Sequence, residues 1–81
     1  MVVRLVLWNL ADSKTNLEEL RAHLRPEPRA AFHAWISDES TERFGAISVW
    51  DSSDDEQPVA QEVRDLIGTD PEIAELFDVE A

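Results

Sequence analysis

The stretch "FHAWISDESTERFGAISVW", Phe32–Trp50, decides the fold because it has the pattern of a β-hairpin. Two apolar runs predict strands over 30–37 and 44–51, and the polar connection "DESTER" predicts a six-residue turn that sets Ser37 opposite Phe44. Alternate positions separate an apolar set from a mixed set that holds two tryptophans, a histidine and serines. A turn one residue longer or shorter would exchange the faces of the second run, and that register stays open.

The segments before the hairpin predict a strand and a helix. Residues 2–10, "VVRLVLWNL", are rich in β-branched and large apolar residues and predict a first strand. The leucines of segment 17–24 recur at helical spacing. We expect Thr15 or Asn16 to cap this helix and Pro26 to lie beyond its end.

The segments after the hairpin predict a second helix and a fourth strand. The helix is predicted from an N-cap at Asp55 to Gly68 at its C-terminal end, with Pro58 in the first turn. The tail 72–81, "EIAELFDVEA", alternates loosely and predicts a strand. A short helix is the alternative there, because Ala, Glu and Leu favour helices.

This order of elements predicts a single α+β domain, residues 1–81. It is the βαββαβ order of a ferredoxin-like plait, with a four-stranded antiparallel sheet and both helices on one face. We expect the apolar strand positions to pack against the helices. The mixed set is too apolar to face water and too polar for a dry core, so it predicts a homodimer through the helix-free sheet face. Two such faces would close an α+β barrel around a ligand cavity. The residues of this mixed set are Arg4, Val6, Trp8, His33, Trp35, Ala46, Ser48 and Trp50.

Composition narrows the classes of partner and cofactor. The chain carries 18 acidic and 7 basic residues, and its net charge of −11 disfavours nucleic acid and anionic membranes as partners. No apolar run approaches the roughly 20 residues that a membrane-spanning helix needs, and the first residues lack the features of a signal peptide. We therefore expect a cytoplasmic protein. With no cysteine and no histidine at ligand spacing, neither disulfides nor a metal site is expected.

The strand pattern resembles that of the dimeric α+β-barrel proteins, in particular the small mono-oxygenase-like proteins of the antibiotic-biosynthesis type. The segments "FHAWISDESTERFGAISVWDS" and "ELFDVEA" carry the resemblance. It implies proton abstraction from an aromatic or polyketide-like small molecule by a cofactor-free mono-oxygenase, cyclase or isomerase. His33 stands where related sequences often have Lys. The second helix lacks the histidine of the haem-degrading relatives, so no cofactor is expected.

The mixed set contains candidates for such a reaction. His33 is its only side chain that titrates near neutral pH, so it is the candidate general base. Arg4 is the candidate group for stabilising the enolate that proton removal would form. The substrate-binding candidates are Trp8, Trp35, Ser48 and Trp50.

Two other functions fit the same residues. One is a non-catalytic dimer that binds a ligand or assists a biosynthetic enzyme as an accessory protein. The other is an interaction module whose mixed face docks a different protein. The sequence does not choose between an oxygenase and a cyclase, because both need the same base and the same flat cavity.

Overall fold

The computed structural model describes residues 1–80 of the 81-residue chain, so Ala81, the last residue of the predicted domain, lies outside the described residues. Four strands form one antiparallel sheet, an α+β arrangement that is consistent with a ferredoxin-like plait, and their order across the sheet is Phe32–Asp38, Arg43–Trp50, Val2–Asn9 and Ile73–Asp78. The elements are β1 Val2–Asn9, α1 Leu17–Arg21, β2 Phe32–Asp38, β3 Arg43–Trp50, a 3₁₀ turn Ser53–Asp55, α2 Gln61–Ile67 and β4 Ile73–Asp78.

The hairpin and the tail follow the predictions. Ser37 pairs with Phe44, which confirms the register of the β2–β3 hairpin and excludes the shifted alternative. The tail forms β4, which pairs along β1 from Leu7 opposite Ile73 to Val2 opposite Asp78. The prediction of a strand there, rather than a short helix, is therefore confirmed.

The first helix is shorter than the leucine spacing predicts. Asn16 caps α1, since its side-chain oxygen accepts a hydrogen bond from the Glu19 N–H at 2.9 Å. The helix ends at Arg21, so Leu24 lies in the connection to β2 rather than on the helix. Among residues 1–80, neither helix is both long and apolar enough to cross a membrane.

The predicted start of the second helix is wrong. Asp55 ends a 3₁₀ turn that Ser52 caps, and α2 begins six residues later at Gln61. Proline disfavours the helical conformation in the residue before it, so a helix cannot run smoothly through Pro58. The predicted end is confirmed, because Gly68 closes α2 with a left-handed φ of 74°.

The sheet face that packs against the helices is the mixed set, which is the opposite of the prediction. Trp8 and Phe44 of the sheet form one core cluster with Leu20 of α1 and with Val63 and Ile67 of α2. The two helices are only five and seven residues long, so large rings from the sheet fill the space beneath them.

Hydrogen bonding gives a second reason for this arrangement. The Trp8 indole N–H donates to the Thr69 carbonyl, and the Trp35 indole N–H donates to the Arg25 carbonyl, each at 3.0 Å. Both carbonyls belong to connections on the helix side of the sheet. Buried indole N–H groups need such acceptors, which the helix-free side does not supply.

The helix-free side of the sheet is therefore the apolar set, and we call it the open face. Its side chains alternate with the core residues along each strand and pair across the sheet. Phe32 is 54% exposed and Phe77 is 47% exposed. The charged residues that share this face are Asp38, Arg43 and Glu75. The apolar residues of the open face are Val3, Leu5, Leu7, Phe32, Ala34, Ile36, Ile47, Val49, Ile73 and Phe77.

Candidate functional site

A cavity of about 440 Å³ lies between the helix-covered face of the sheet and two proline-containing connections. Segment 25–27, which follows α1, forms one wall, and segment 56–60, which precedes α2, forms another. Its volume lies within the range of roughly 300–1,000 Å³ that is typical of small-molecule sites. One chain therefore builds a pocket of ligand size by itself.

The floor of the cavity carries a row of three polar side chains. His33 on β2 is directly opposite Ser48 on β3, and Ser48 is directly opposite Arg4 on β1. Neighbouring strands lie about 4.8 Å apart, so the row spans roughly 10 Å. A flat molecule lying on the sheet would meet all three groups.

The next row across the sheet provides the free space. It consists of Trp35, Ala46, Val6 and Ala74, all of which line the cavity. The two alanines leave room beside a large indole. This row therefore makes a shallow apolar shelf next to the polar row.

The indole rings form walls of the cavity, but their N–H groups are not available to a ligand. Trp8 and Trp50 are only 2% and 1% exposed. The Trp50 N–H donates to the Ser48 hydroxyl at 2.9 Å, and the other two indoles donate to main-chain carbonyls. Trp35 stacks on Phe44 at 5.6 Å between ring centroids, which fixes its plane. The rings can contact a ligand, but their N–H groups are already satisfied.

His33 has the electrostatic surroundings of a neutral imidazole. Its ring packs edge to face with the Trp35 indole, with 4.9 Å between the ring centroids. Burial lowers the pKa of His33 below its ordinary value of 6.5, and the nearby Glu27 carboxylate only partly opposes this effect. Hydrogen bonds from Arg29 lower the pKa of Glu27, so that carboxylate stays ionised. The lowered pKa favours the neutral imidazole, which is the form that can accept a proton.

Arg4 is held in place by a carboxylate on the cavity wall. Its Nε donates to the Glu56 Oε1 at 2.8 Å, and both side chains are largely buried. This bond uses one of the five guanidinium N–H donors. The ion pair fixes the arginine beside Ser48 and offsets much of its positive charge.

All six sequence-predicted site residues line this one cavity, but its position differs from the prediction. The prediction placed His33, Arg4 and the indoles on a helix-free face, around a cavity shared by two chains. The structure brings them together beneath the helices and the connections of a single chain. Trp8 and Trp50 serve mainly as core residues, whereas Trp35 is only partly buried.

The two connections contribute residues to the cavity that the sequence pattern did not predict. Arg25, Glu27 and Glu56 line the walls, and so does Arg64 from α2. The signal was the prolines of "RPEP" and "EQP", which were interpreted only as the end and the start of helices. Proline-rich connections that cross the same sheet face also form walls.

Comparison with known proteins does not assign a function to this chain. No protein-family model matches the chain, and no curated protein matches its sequence significantly. Within residues 1–80, no group of three or more His, Asp or Glu side chains is placed to hold a metal ion. The site must therefore be interpreted from its own geometry.

Proposed function

We propose that this protein is a small homodimeric enzyme that removes a proton from a flat aromatic or polyketide-like molecule. The observation that carries the proposal is the row of His33, Ser48 and Arg4 on the floor of an indole-walled cavity. Such a row puts a base and hydrogen-bond donors on the same side of one bound ring system. The activity would be a mono-oxygenation, a cyclisation or an isomerisation without a cofactor.

His33 is the general base of this proposal. The C–H bond of the substrate breaks, its proton goes to the neutral imidazole, and its electron pair forms the C=C bond of an enolate. The lowered pKa keeps the imidazole unprotonated near neutral pH, which a base requires. The contact with Trp35 holds the ring at the edge of the shelf on which the substrate would lie.

Ser48 and Arg4 stabilise the negative oxygen of the enolate. The Ser48 hydroxyl accepts a hydrogen bond from Trp50, so its own proton remains free for donation to a ligand. Arg4 keeps further N–H donors beyond the one that Glu56 occupies. Donors fixed before the reaction begins stabilise a developing charge without reorganisation.

The enolate can follow any of three courses. In a mono-oxygenase it reduces O₂, so that a CH₂ group becomes C=O and the second oxygen atom leaves as water. In a cyclase it attacks a carbonyl carbon of the same molecule, and in an isomerase it is reprotonated at another carbon. The common first step is the one that His33 would perform.

The homodimer of this proposal forms through the open face. Sheets with helices on one side normally present polar residues on the other, but most positions of this face are apolar. An apolar patch of this extent marks an interaction surface. A second copy is the occupant we infer, because the apolar part of this face can pack against itself even in a chain of net charge −11.

A non-catalytic ligand-binding or accessory dimer is the second candidate. The observation that favours it is the Arg4–Glu56 ion pair, which weakens the positive charge available to an enolate. In that case the cavity binds a flat ligand, and His33 only contributes to its hydrogen bonding.

Deuterium exchange tests the proposed first step without knowledge of the natural substrate. Anthrone is a flat tricyclic ketone with an acidic methylene group, and it serves as the probe. In oxygen-free D₂O, we expect the wild-type protein to accelerate the exchange of that methylene, as measured by proton NMR. His33→Gln should slow the catalysed exchange by about 10²–10⁴-fold, the range typical of a lost general base.

The controls of this experiment separate the two candidates. His23 lies outside the cavity and pairs with Glu62, so His23→Gln should leave the exchange unchanged. The catalysed rate should fall as the pH falls through a value below 6.5, because protonation removes the base. Unchanged exchange in His33→Gln would contradict the role of His33. Binding of anthrone without any catalysed exchange would favour the ligand-binding protein.

A further inference from the structure

The arginines of this protein differ in whether they form a salt bridge with a carboxylate. The chain has six arginines, and four of them lie within 4 Å of a carboxylate. Within residues 1–80, Arg25 and Arg64 have no such carboxylate partner. Both of them line the cavity.

This placement is unexpected in a chain with 18 acidic and 7 basic residues. Acids outnumber bases so heavily that a surface arginine readily finds a carboxylate. The two glutamates of the cavity are already occupied, since Glu27 pairs with Arg29 and Glu56 pairs with Arg4, each at 2.8 Å. Within residues 1–80, the Arg64 side chain donates a hydrogen bond to the amide oxygen of Gln61, at 3.3 Å.

We infer that the ligand carries a carboxylate group and that Arg25 and Arg64 bind it. This inference rests on the proposed function and names the class of substrate. Arg25 lies after α1 and Arg64 lies in α2, so the two arginines belong to different elements around the cavity. The planar guanidinium fork matches a carboxylate with two parallel hydrogen bonds.

The net charge of the residues that line the cavity is complementary to a ligand with a single carboxylate. Three arginines and two glutamates line the cavity, which leaves a formal excess of one positive charge when His33 is neutral. A monoanion balances that excess. The net charge of the whole chain is −11, so this cavity differs in sign from the molecule around it.

A matched pair of probes tests the inference. 2-Naphthoate and 2-naphthamide have the same flat ring system, and only the first is charged. We expect calorimetric titration of the full chain to show that the carboxylate binds about a hundredfold more tightly, because the charge-assisted hydrogen bonds from the two arginines contribute about tenfold each. Arg25→Gln and Arg64→Gln should each lower the affinity for 2-naphthoate by about tenfold.

The control variant is Arg21→Gln, because Arg21 pairs with Glu39 outside the cavity. It should leave both affinities unchanged. Arg25→Gln keeps the main-chain carbonyl that accepts the Trp35 hydrogen bond, so the wall should persist in that variant.

Two outcomes overturn the inference and leave the aromatic cavity intact. One is equal binding of the two probes, and the other is a preference for 2-naphthoate that neither substitution changes. Failure of both probes to bind overturns the inference together with the proposed ligand site. Failure of the anthrone exchange alone would overturn the proposed chemistry and leave the carboxylate site in place.

Discussion

Gly45 is the residue at which the sheet has no room for a side chain. A Cβ atom added there would lie 1.8 Å from the Val6 carbonyl oxygen and 2.9 Å from the Leu7 Cα. Both atoms belong to the backbone of β1, the neighbouring strand, so they cannot rotate away. A glycine is therefore required where β3 passes β1, in the middle of the sheet.

Gly45→Ala should accordingly lower the free energy of unfolding by about 1–3 kcal/mol or more, the usual cost of overpacking. Urea unfolding followed by tryptophan fluorescence measures this change. The comparison variant is Gly68→Ala, where the nearest atom would be 3.9 Å away and the cost is the left-handed φ of 74°. That conformation costs roughly 1–2 kcal/mol for an L-residue. Wild-type stability in Gly45→Ala would contradict the close approach of β1 and β3.

At the scale of elements, β4 presents adjacent apolar residues to opposite sides of the sheet. Phe77 pairs with Val3 on the open face, and Leu76 pairs with Arg4 on the helix-covered face. The Phe77 side chain is 47% exposed and the Leu76 side chain is 39% exposed, so a substitution at either position leaves the packed core intact. This pair provides a matched test of the proposed dimer.

Phe77→Asp should convert the dimer into a monomer, because it places a charge inside an apolar interface. Leu76→Asp adds the same charge one residue away and should leave the dimer intact. Light scattering at micromolar concentration measures the mass, with 9.2 kDa expected for the monomer. A monomeric wild-type protein would contradict the dimer, and dissociation by Leu76→Asp alone would assign the interface to the other face.

The elements also show what the sequence could predict. A strand period of two residues separates the hairpin into two sets, and a six-residue turn favours the register with Ser37 opposite Phe44, which the strand pairing confirms. That period does not say which set faces the helices. The choice depends on the shortness of the helices and on the carbonyls of Thr69 and Arg25, which accept from the indoles. Both are tertiary features without a local pattern.

At the scale of the whole molecule, the sheet residues of the candidate site were predictable, but the residues of the connections and the position of the cavity were not. His33, Ser48 and Arg4 share one parity and one cross-strand row, which the sequence already implied. The prediction placed this row between two chains, because an apolar set was expected in the core. The structure covers the row with connections 25–27 and 56–60, whose path over the sheet follows from packing.

The proposals thus give the two faces of the sheet separate roles. On the helix-covered face, the cavity would bind the ligand beside His33, Ser48 and Arg4. The open face would bind a second copy of the chain. Because each chain builds its own cavity, ligand binding and dimer formation are expected to be independent of each other.

The most direct test determines which face of the sheet binds a flat ligand. Proton–nitrogen NMR spectra of the wild-type chain, recorded during a titration with 2-naphthoate, would locate it. We expect the largest shifts at His33, at Ser48 and at the indole N–H of Trp35, with little change along the open face. Shifts confined to open-face residues such as Ile47 and Val49 would contradict the account, because the cavity beneath the helices would then not be the binding site.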